Sequence, residues 1–199
     1  PSYHGLPVFT ERVVFILDRS GSMLWPHAPG EITRIEVAQD ALVRVLEELS
    51  PKTRFNVLAF DSKVYAWRKG ESDADPKSIS KAVRWVRKQE SKRGAYTNTY
   101  GVLEKAYEEN PDIDTIYLLS DGIPEDGEIT TSEGLLAAVR AWNRHRRVQI
   151  HAIALTLMYL HPGKYPIKSS MRRAEAFMKD LARIGRGSFK HVDRPPPKR

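Results

Sequence analysis

Residues 12–22 read Arg-Val-Val-Phe-Ile-Leu-Asp-Arg-Ser-Gly-Ser, and the fold follows from how that stretch divides. Val13, Val14, Phe15, Ile16 and Leu17 form an unbroken apolar run. A strand covered on one face alternates apolar and polar residues, whereas a strand covered on both is apolar throughout. The run therefore predicts a strand over Arg12–Asp18 inside a sheet with helices on both sides. After Asp18 the character changes. Ser20, Gly21 and Ser22 begin a loop that reaches about Thr33, broken by Pro26, Pro29 and Gly30.

Working outward, Arg34–Leu49 is an amphipathic helix: Ile35, Ala38, Ala41, Leu42, Val45, Leu46 and Leu49 recur at helical spacing, and Pro51 stops it. Phe55–Phe60 is the next strand. Val64–Trp67 is a short strand beside it, across a tight turn at Asp61-Ser62. Helices are predicted over Pro76–Lys88 and Asn98–Glu109, with a loop at Ser91–Tyr96 between them. Ile113–Ser120 is another apolar strand, ending at Asp121-Gly122. Thr130 and Glu133 form a capping box for a helix that turns Leu135, Leu136, Val139 and Trp142 inward. Val148–Leu155 is a buried strand, Ser169–Ile184 a helix with Gly185 at its C-cap, and Ser188–Val192 a closing strand. Strands and helices alternate, which predicts a three-layer α/β domain. Its central sheet is mostly parallel, with one short antiparallel edge strand and helices on both faces. The boundaries are an N-terminal extension at 1–11, one domain over 12–193 and a proline-rich tail at 194–199.

The chain has 199 residues and 41% hydrophobic content, enough for one domain with a real core. It has no cysteine, which excludes disulfides, thiolate metal sites and a cysteine nucleophile, and suits a reduced compartment. Its N-terminus carries no signal pattern, and no run approaches the ~20 apolar residues that span a bilayer. The compartment itself is not legible. The net charge is +7, concentrated at Lys81, Arg84, Arg87, Lys88, Lys92 and Arg93, at Arg140, Arg144, Arg146 and Arg147, and at Arg172 and Arg173. Lys81, Arg84 and Lys88 share one helical face opposite Ile79, Ala82, Val83 and Val86, as a solvated face would. Apart from Trp85 no stacking aromatic interleaves them, which argues against nucleic acid.

Open parallel sheets bind ligands beyond the carboxyl ends of their strands. Three segments bring oxygen donors to that edge: Asp18-Arg19-Ser20-Gly21-Ser22, Ser120-Asp121-Gly122, and Thr97-Asn98-Thr99 ahead of a helix. Two carboxylates and several hydroxyls converge with no His or Cys. Such a hard, oxygen-only set selects Mg²⁺, Mn²⁺ or Ca²⁺ over zinc or copper.

At these residues the chain resembles the von Willebrand factor A family. The resemblance rests on Asp-x-Ser-x-Ser in "FILDRSGSM" (Asp18, Ser20, Ser22), on the threonine of "GAYTN" (Thr97), and on the aspartate of "LLSDGIP" (Asp121). It covers roughly residues 12–192, since "VQIHAIAL" and "FMKDLARIGRGSF" match the family's last strand–helix–strand. It implies a Rossmann-like fold and a metal-ion-dependent adhesion site. The two serines would bind the ion directly, Thr97 directly or through water, and the aspartates mainly through water. It also implies Mg²⁺ as the metal, with Mn²⁺ or Ca²⁺ fitting the same chemistry. The partner would be a protein offering Asp or Glu to the ion, in trans or from a neighbouring domain. The motif details resemble those of large bacterial multidomain proteins, and the chain is expected to be monomeric. Three departures stand out. Ala95-Tyr96 replaces a second glycine, "IALTL" replaces a glycine-containing strand end, and Met158–Lys168 is an insertion at the metal edge.

Two alternatives remain open: a metal-assisted hydrolase, and an anion or nucleic-acid binder using the basic helix faces. Against catalysis, Asp18 occupies the first glycine position of Gly-x-Ser-x-Gly, so Ser20 is not the nucleophile of that motif. No Gly-x₄-Gly-Lys-Ser/Thr phosphate loop exists. His151 reads as a core histidine rather than a base. Met23, Leu24 and Trp25 either pack beneath the metal loop or form an apolar rim. Arg19 reads as solvent-facing.

Overall fold

In the computed structural model, which describes residues 1–26, 32–155 and 169–192, the chain opens with two short antiparallel strands, β1 (Ser2–Tyr3) and β2 (Leu6–Pro7). His4 and Gly5 turn between them with φ of 49° and 82°. The apolar run then forms β3 (Arg12–Asp18), and a 3₁₀ turn follows at Gly21–Leu24. Helix α1 (Arg34–Glu47) starts at Thr33, which forms a full capping box with Glu36. Strand β4 (Arg54–Phe60) leads into β5 (Val64–Ala66) and β6 (Ser72–Asp73). Asp75 caps α2 (Pro76–Arg87), whose first residue is a proline with no N–H to leave unsatisfied. Asn98 caps α3 (Thr99–Glu109). The remaining elements are β7 (Thr115–Ser120), α4 (Ser132–Trp142), β8 (Gln149–Ala154), α5 (Ser169–Ile184) and β9 (Arg186–His191).

Among the described residues the main sheet has the order β5-β4-β3-β7-β8-β9, with β6 also on β4. Strands β4, β3, β7, β8 and β9 run parallel, and β5 lies antiparallel at the edge as expected. The two-residue β6 adds a second antiparallel pairing at the start of β4. From β3 the chain moves one way, through α1 to β4. From β7 it moves the other way, through α4 to β8. The crevice between the carboxyl ends of β3 and β7 is therefore the point where the winding reverses, and ligands bind at such points. Leu17 sits against Leu119 in register, so Asp18 and Ser120 leave the sheet side by side.

The pleat divides the core in two. Val13, Phe15, Leu17, Val57 and Leu119 face α1 and α2 together with Leu42, Leu46 and Val86. Val14, Ile16, Leu58, Ile116 and Leu118 face α3, α4 and α5 together with Leu103, Leu135 and Leu181. All sixteen are fully buried, and each such side chain stabilises the fold by ~2 kcal/mol. This is the three-layer arrangement that the uninterrupted apolar strands predict. Among the described residues no helix is long and apolar enough to cross a membrane.

Two details differ from expectation. Thr131, not Thr130, caps α4, accepting from the Gly134 N–H at 3.2 Å. Glu133 is thereby the second helical residue rather than the third, and cannot complete a capping box. Strand β9 begins two residues early, at Arg186. The chain turns there with Arg186 at φ 54°, while Gly185 and Gly187 let β9 close on β8. A Cβ at Gly187 would lie 2.1 Å from the Ile150 carbonyl oxygen. The insertion 158–168 and the tail 194–199 lie outside the described residues.

Candidate metal centre

Asp18, Ser20, Ser22 and Asp121 meet at the crevice between β3 and β7, joined by hydrogen bonds. The Asp18 carboxylate accepts from the Ser20 backbone N–H at 2.7 Å through Oδ1, and from the Ser120 hydroxyl through Oδ2. The Ser20 and Ser22 hydroxyls are 3.1 Å apart. Ser22 donates on to Asp121 Oδ1 at 2.6 Å. Asp121 Oδ2 is ion-paired with Arg34. Thr97 approaches from the third segment. Its hydroxyl packs against Gly122, where a Cβ would lie 3.4 Å away. The Thr97 carbonyl accepts from the backbone N–H groups of Glu125 and Asp126 at 3.0 and 3.3 Å. The structure thus gathers all five expected residues at one sheet edge.

Local backbone geometry explains Gly21. Its N–H donates to the Ala95 carbonyl at 2.9 Å, and a Cβ there would meet the Lys92 carbonyl oxygen at 3.1 Å. A glycine between the two serines lets the β3 loop lie against the 92–95 backbone, which brings Thr97 in. Asn98 N–H donating to the Asp61 carbonyl at 3.0 Å, and Tyr96 N–H to Ser62 Oγ at 3.1 Å, pin the other side of that loop to the β4–β5 turn.

Two buried carboxylates this close resist joint ionisation. Burial first, and then the Asp121 charge, push the Asp18 carboxyl up to about 7, although Ser120 and Ser20 pull it down. Among the described residues no three His, Cys, Asp or Glu side chains gather into a cluster that could hold a metal. The donor set here is two carboxylates supplemented by hydroxyls. Oxygen alone, partly anionic and partly neutral, is the set a hard divalent cation takes.

The residues around the centre sort differently from the sequence reading. Arg19 is buried, not solvent-facing. Its Nε lies 3.2 Å from Asp61 Oδ2, its guanidinium donates to Gln89 Oε1 at 2.9 Å, and it stacks 4.5 Å from the Tyr65 ring centroid. Met23 is fully buried beneath the loop while Trp25 is exposed, so the apolar triplet divides between packing and rim. Tyr96 is also exposed, as are Lys92 and Arg93. Arg146 leaves the basic cluster: it donates to the carbonyls of Tyr107, Asn110 and Pro111 at 2.6–2.7 Å and closes the end of α3. His151 stacks on Tyr117, and its Nδ1 accepts from Ser188 N–H at 3.1 Å.

The sequence places Ser120 among the oxygen donors at this edge but does not show that its hydroxyl donates to Asp18, and it gives Arg34 no part in the site. The signal for Arg34 was its place: a basic residue opening a helix, where the macrodipole disfavours positive charge.

Comparison with known proteins bears on the family and the fold. A mouse protein, inter alpha-trypsin inhibitor heavy chain 4, is 28% identical over 132 residues, covering 62% of this chain and 13% of that protein. Human von Willebrand factor A domain-containing protein 3B is 24% identical over 178 residues, covering 89% of this chain and 11% of its own length. The chain thus spans only a small part of the curated relatives it matches. A von Willebrand factor type A structure from Catenulispora acidiphila superposes with a TM-score of 0.65 at 16% identity, over 94% of this chain and 39% of the other. The model of the von Willebrand factor type A domain matches residues 11–190. With that match across nearly its whole length, the chain belongs to the von Willebrand factor type A domain family.

Proposed function

We propose that this domain is a non-enzymatic protein-interaction module that binds an acidic side chain of its partner through a divalent metal ion, a metal-ion-dependent adhesion site. One observation carries the reading: Asp18, Ser20, Ser22 and Asp121 form one hydrogen-bonded cluster at the point where the sheet's winding reverses. Thr97 is brought beside it through Gly122. These five residues would hold the ion, Mg²⁺ first, with Mn²⁺ or Ca²⁺ meeting the same oxygen chemistry.

The bound ion would supply a coordination position open to one more anionic oxygen. The chain's own residues prepare for it. Ser20 and Ser22 bring neutral hydroxyls, which leave the ion's charge largely uncompensated. Asp18 and Asp121 are fixed by donors on every carboxylate oxygen, so little ordering remains to be done on binding. Exposed Lys92 and Arg93 border the edge and favour a negatively charged partner. The partner's Asp or Glu can come from another protein or from a neighbouring domain of a longer chain.

The test is capture of partners from the native source with and without EDTA, followed by substitution of the captured partner's Asp and Glu residues. Binding should be lost on chelation, in Thr97→Ala and in one partner carboxylate variant. Binding that survives both chelation and Thr97→Ala would overturn the proposal.

A further inference from the structure

Arg34 is out of place by every local rule. It is the first residue of α1, where the helix dipole presents its positive end and a cation is disfavoured. Its side chain is only 5% exposed, although a buried guanidinium loses most of its hydration. Its Nε has no hydrogen-bond partner among the described residues. The nearby Glu36 carboxylate is committed to Thr33, accepting from its N–H at 2.7 Å and its hydroxyl at 2.6 Å. What holds the guanidinium is Asp121, whose own side chain is fully buried. The helix does not need this cation, since a neutral helix former would start α1 without the dipole conflict. The explanation for Arg34 therefore lies in the metal centre.

We propose that Arg34 sets the metal affinity of this centre: its guanidinium takes up the charge of Asp121 and keeps divalent-ion binding weak. The inference rests on the metal-binding reading above. Two ionised carboxylates alone would match the charge of one divalent ion. With Arg34 in place one of them is already compensated, so the ion is held less firmly and the loaded centre keeps one positive charge in excess. That excess is available to a partner's carboxylate, and ion and partner binding are coupled in consequence. In a site this buried, a fixed charge acts far more strongly than it would in water. Arg34 is thus a tuning residue that acts through Asp121. Its backbone N–H, donating to the Trp25 carbonyl at 3.0 Å, ties its position to the loop that carries Ser22.

The experiment is calorimetric titration of Mg²⁺ and Mn²⁺ into wild type, Arg34→Gln, Arg34→Met and Arg34→Lys, with melting curves in EDTA recorded alongside. The uncharged variants should bind the ion more tightly, by roughly tenfold or more, and Arg34→Lys should stay within about threefold of wild type. Uncharged variants that are unfolded in EDTA but fold on adding Mn²⁺ would support the same conclusion, because the ion then replaces the missing cation. Equal or weaker binding in the uncharged variants, or failure to fold even with Mn²⁺, would overturn it and leave the metal reading standing. If neither wild type nor the uncharged variants bind either ion, the metal reading falls and this inference falls with it.

Discussion

At the residue scale, Arg19 shows how much of this site is structural. It sits between two metal-motif residues, yet its side chain is spent inward on Asp61, Gln89 and Tyr65. Both members of the Arg19–Asp61 pair are about nine-tenths buried, so removing one leaves the other charge stranded. Arg19→Ala should cost about 3 kcal/mol in urea unfolding. Arg19→Lys should recover only part of that, because a single ammonium cannot reach both oxygens as a fork does. An Arg19→Ala variant as stable as wild type would contradict this assignment. The sequence shows an arginine in a loop and nothing of Tyr65 or Gln89, which lie 46 and 70 positions away. The same limit hid the Arg34–Asp121 pair, 87 positions apart. The grouping of the candidate-site residues at one edge was legible for the opposite reason. Asp18, Ser20 and Ser22 are neighbours in sequence, and Asp121 and Thr97 sit at the ends of recognisable elements.

At the element scale, apolar runs and helical spacing made β3, β4, β7, α1 and α3 readable to within a residue or two. The β1–β2 pair was not readable, because strands of two residues carry no periodicity. Yet Tyr3 on β1 is fully buried, edge-on to Phe15. The β8–β9 pairing was half legible, since Gly187 is needed for backbone approach rather than for a turn. Gly187→Ala should destabilise the domain by about 2 kcal/mol or more, as the Ile150 carbonyl cannot move without breaking the ladder. Chemical denaturation checks this, and an unchanged midpoint would refute it. His151 on β8 gives the pairing a pH signature. Burial lowers its pKa below the ordinary 6.5, so the neutral form is favoured in the fold, with Nδ1 accepting from Ser188. A depressed folded pKa means the stabilisation is complete above pH 6.5 and is lost as pH falls through the folded value. Melting temperature in EDTA should therefore fall between pH 7 and pH 5 more steeply in wild type than in His151→Gln. Parallel slopes would show that His151 does not titrate in this way.

At the scale of the whole molecule, the reversal of winding between β3 and β7 places the candidate centre, and strand pattern alone could not reveal it, because the order of strands in a sheet is not written in any one of them. The surplus of seven positive charges acts at this scale too. Charge reversal at Lys92 and Arg93 should slow partner association several-fold at low salt, with a much smaller effect on dissociation. A change confined to the off-rate would place these residues inside the interface instead. The central claim is that Asp18, Ser20, Ser22, Thr97 and Asp121 hold a divalent ion, and the most direct measurement is thermal unfolding in excess Mg²⁺ against EDTA. Wild type should be stabilised by ~2.7 kcal/mol when Mg²⁺ stands at about a hundred times its Kd, and Asp18→Ala and Ser22→Ala should melt identically with and without the ion. A wild type indifferent to Mg²⁺ and Mn²⁺, or variants that respond as wild type does, would contradict the account.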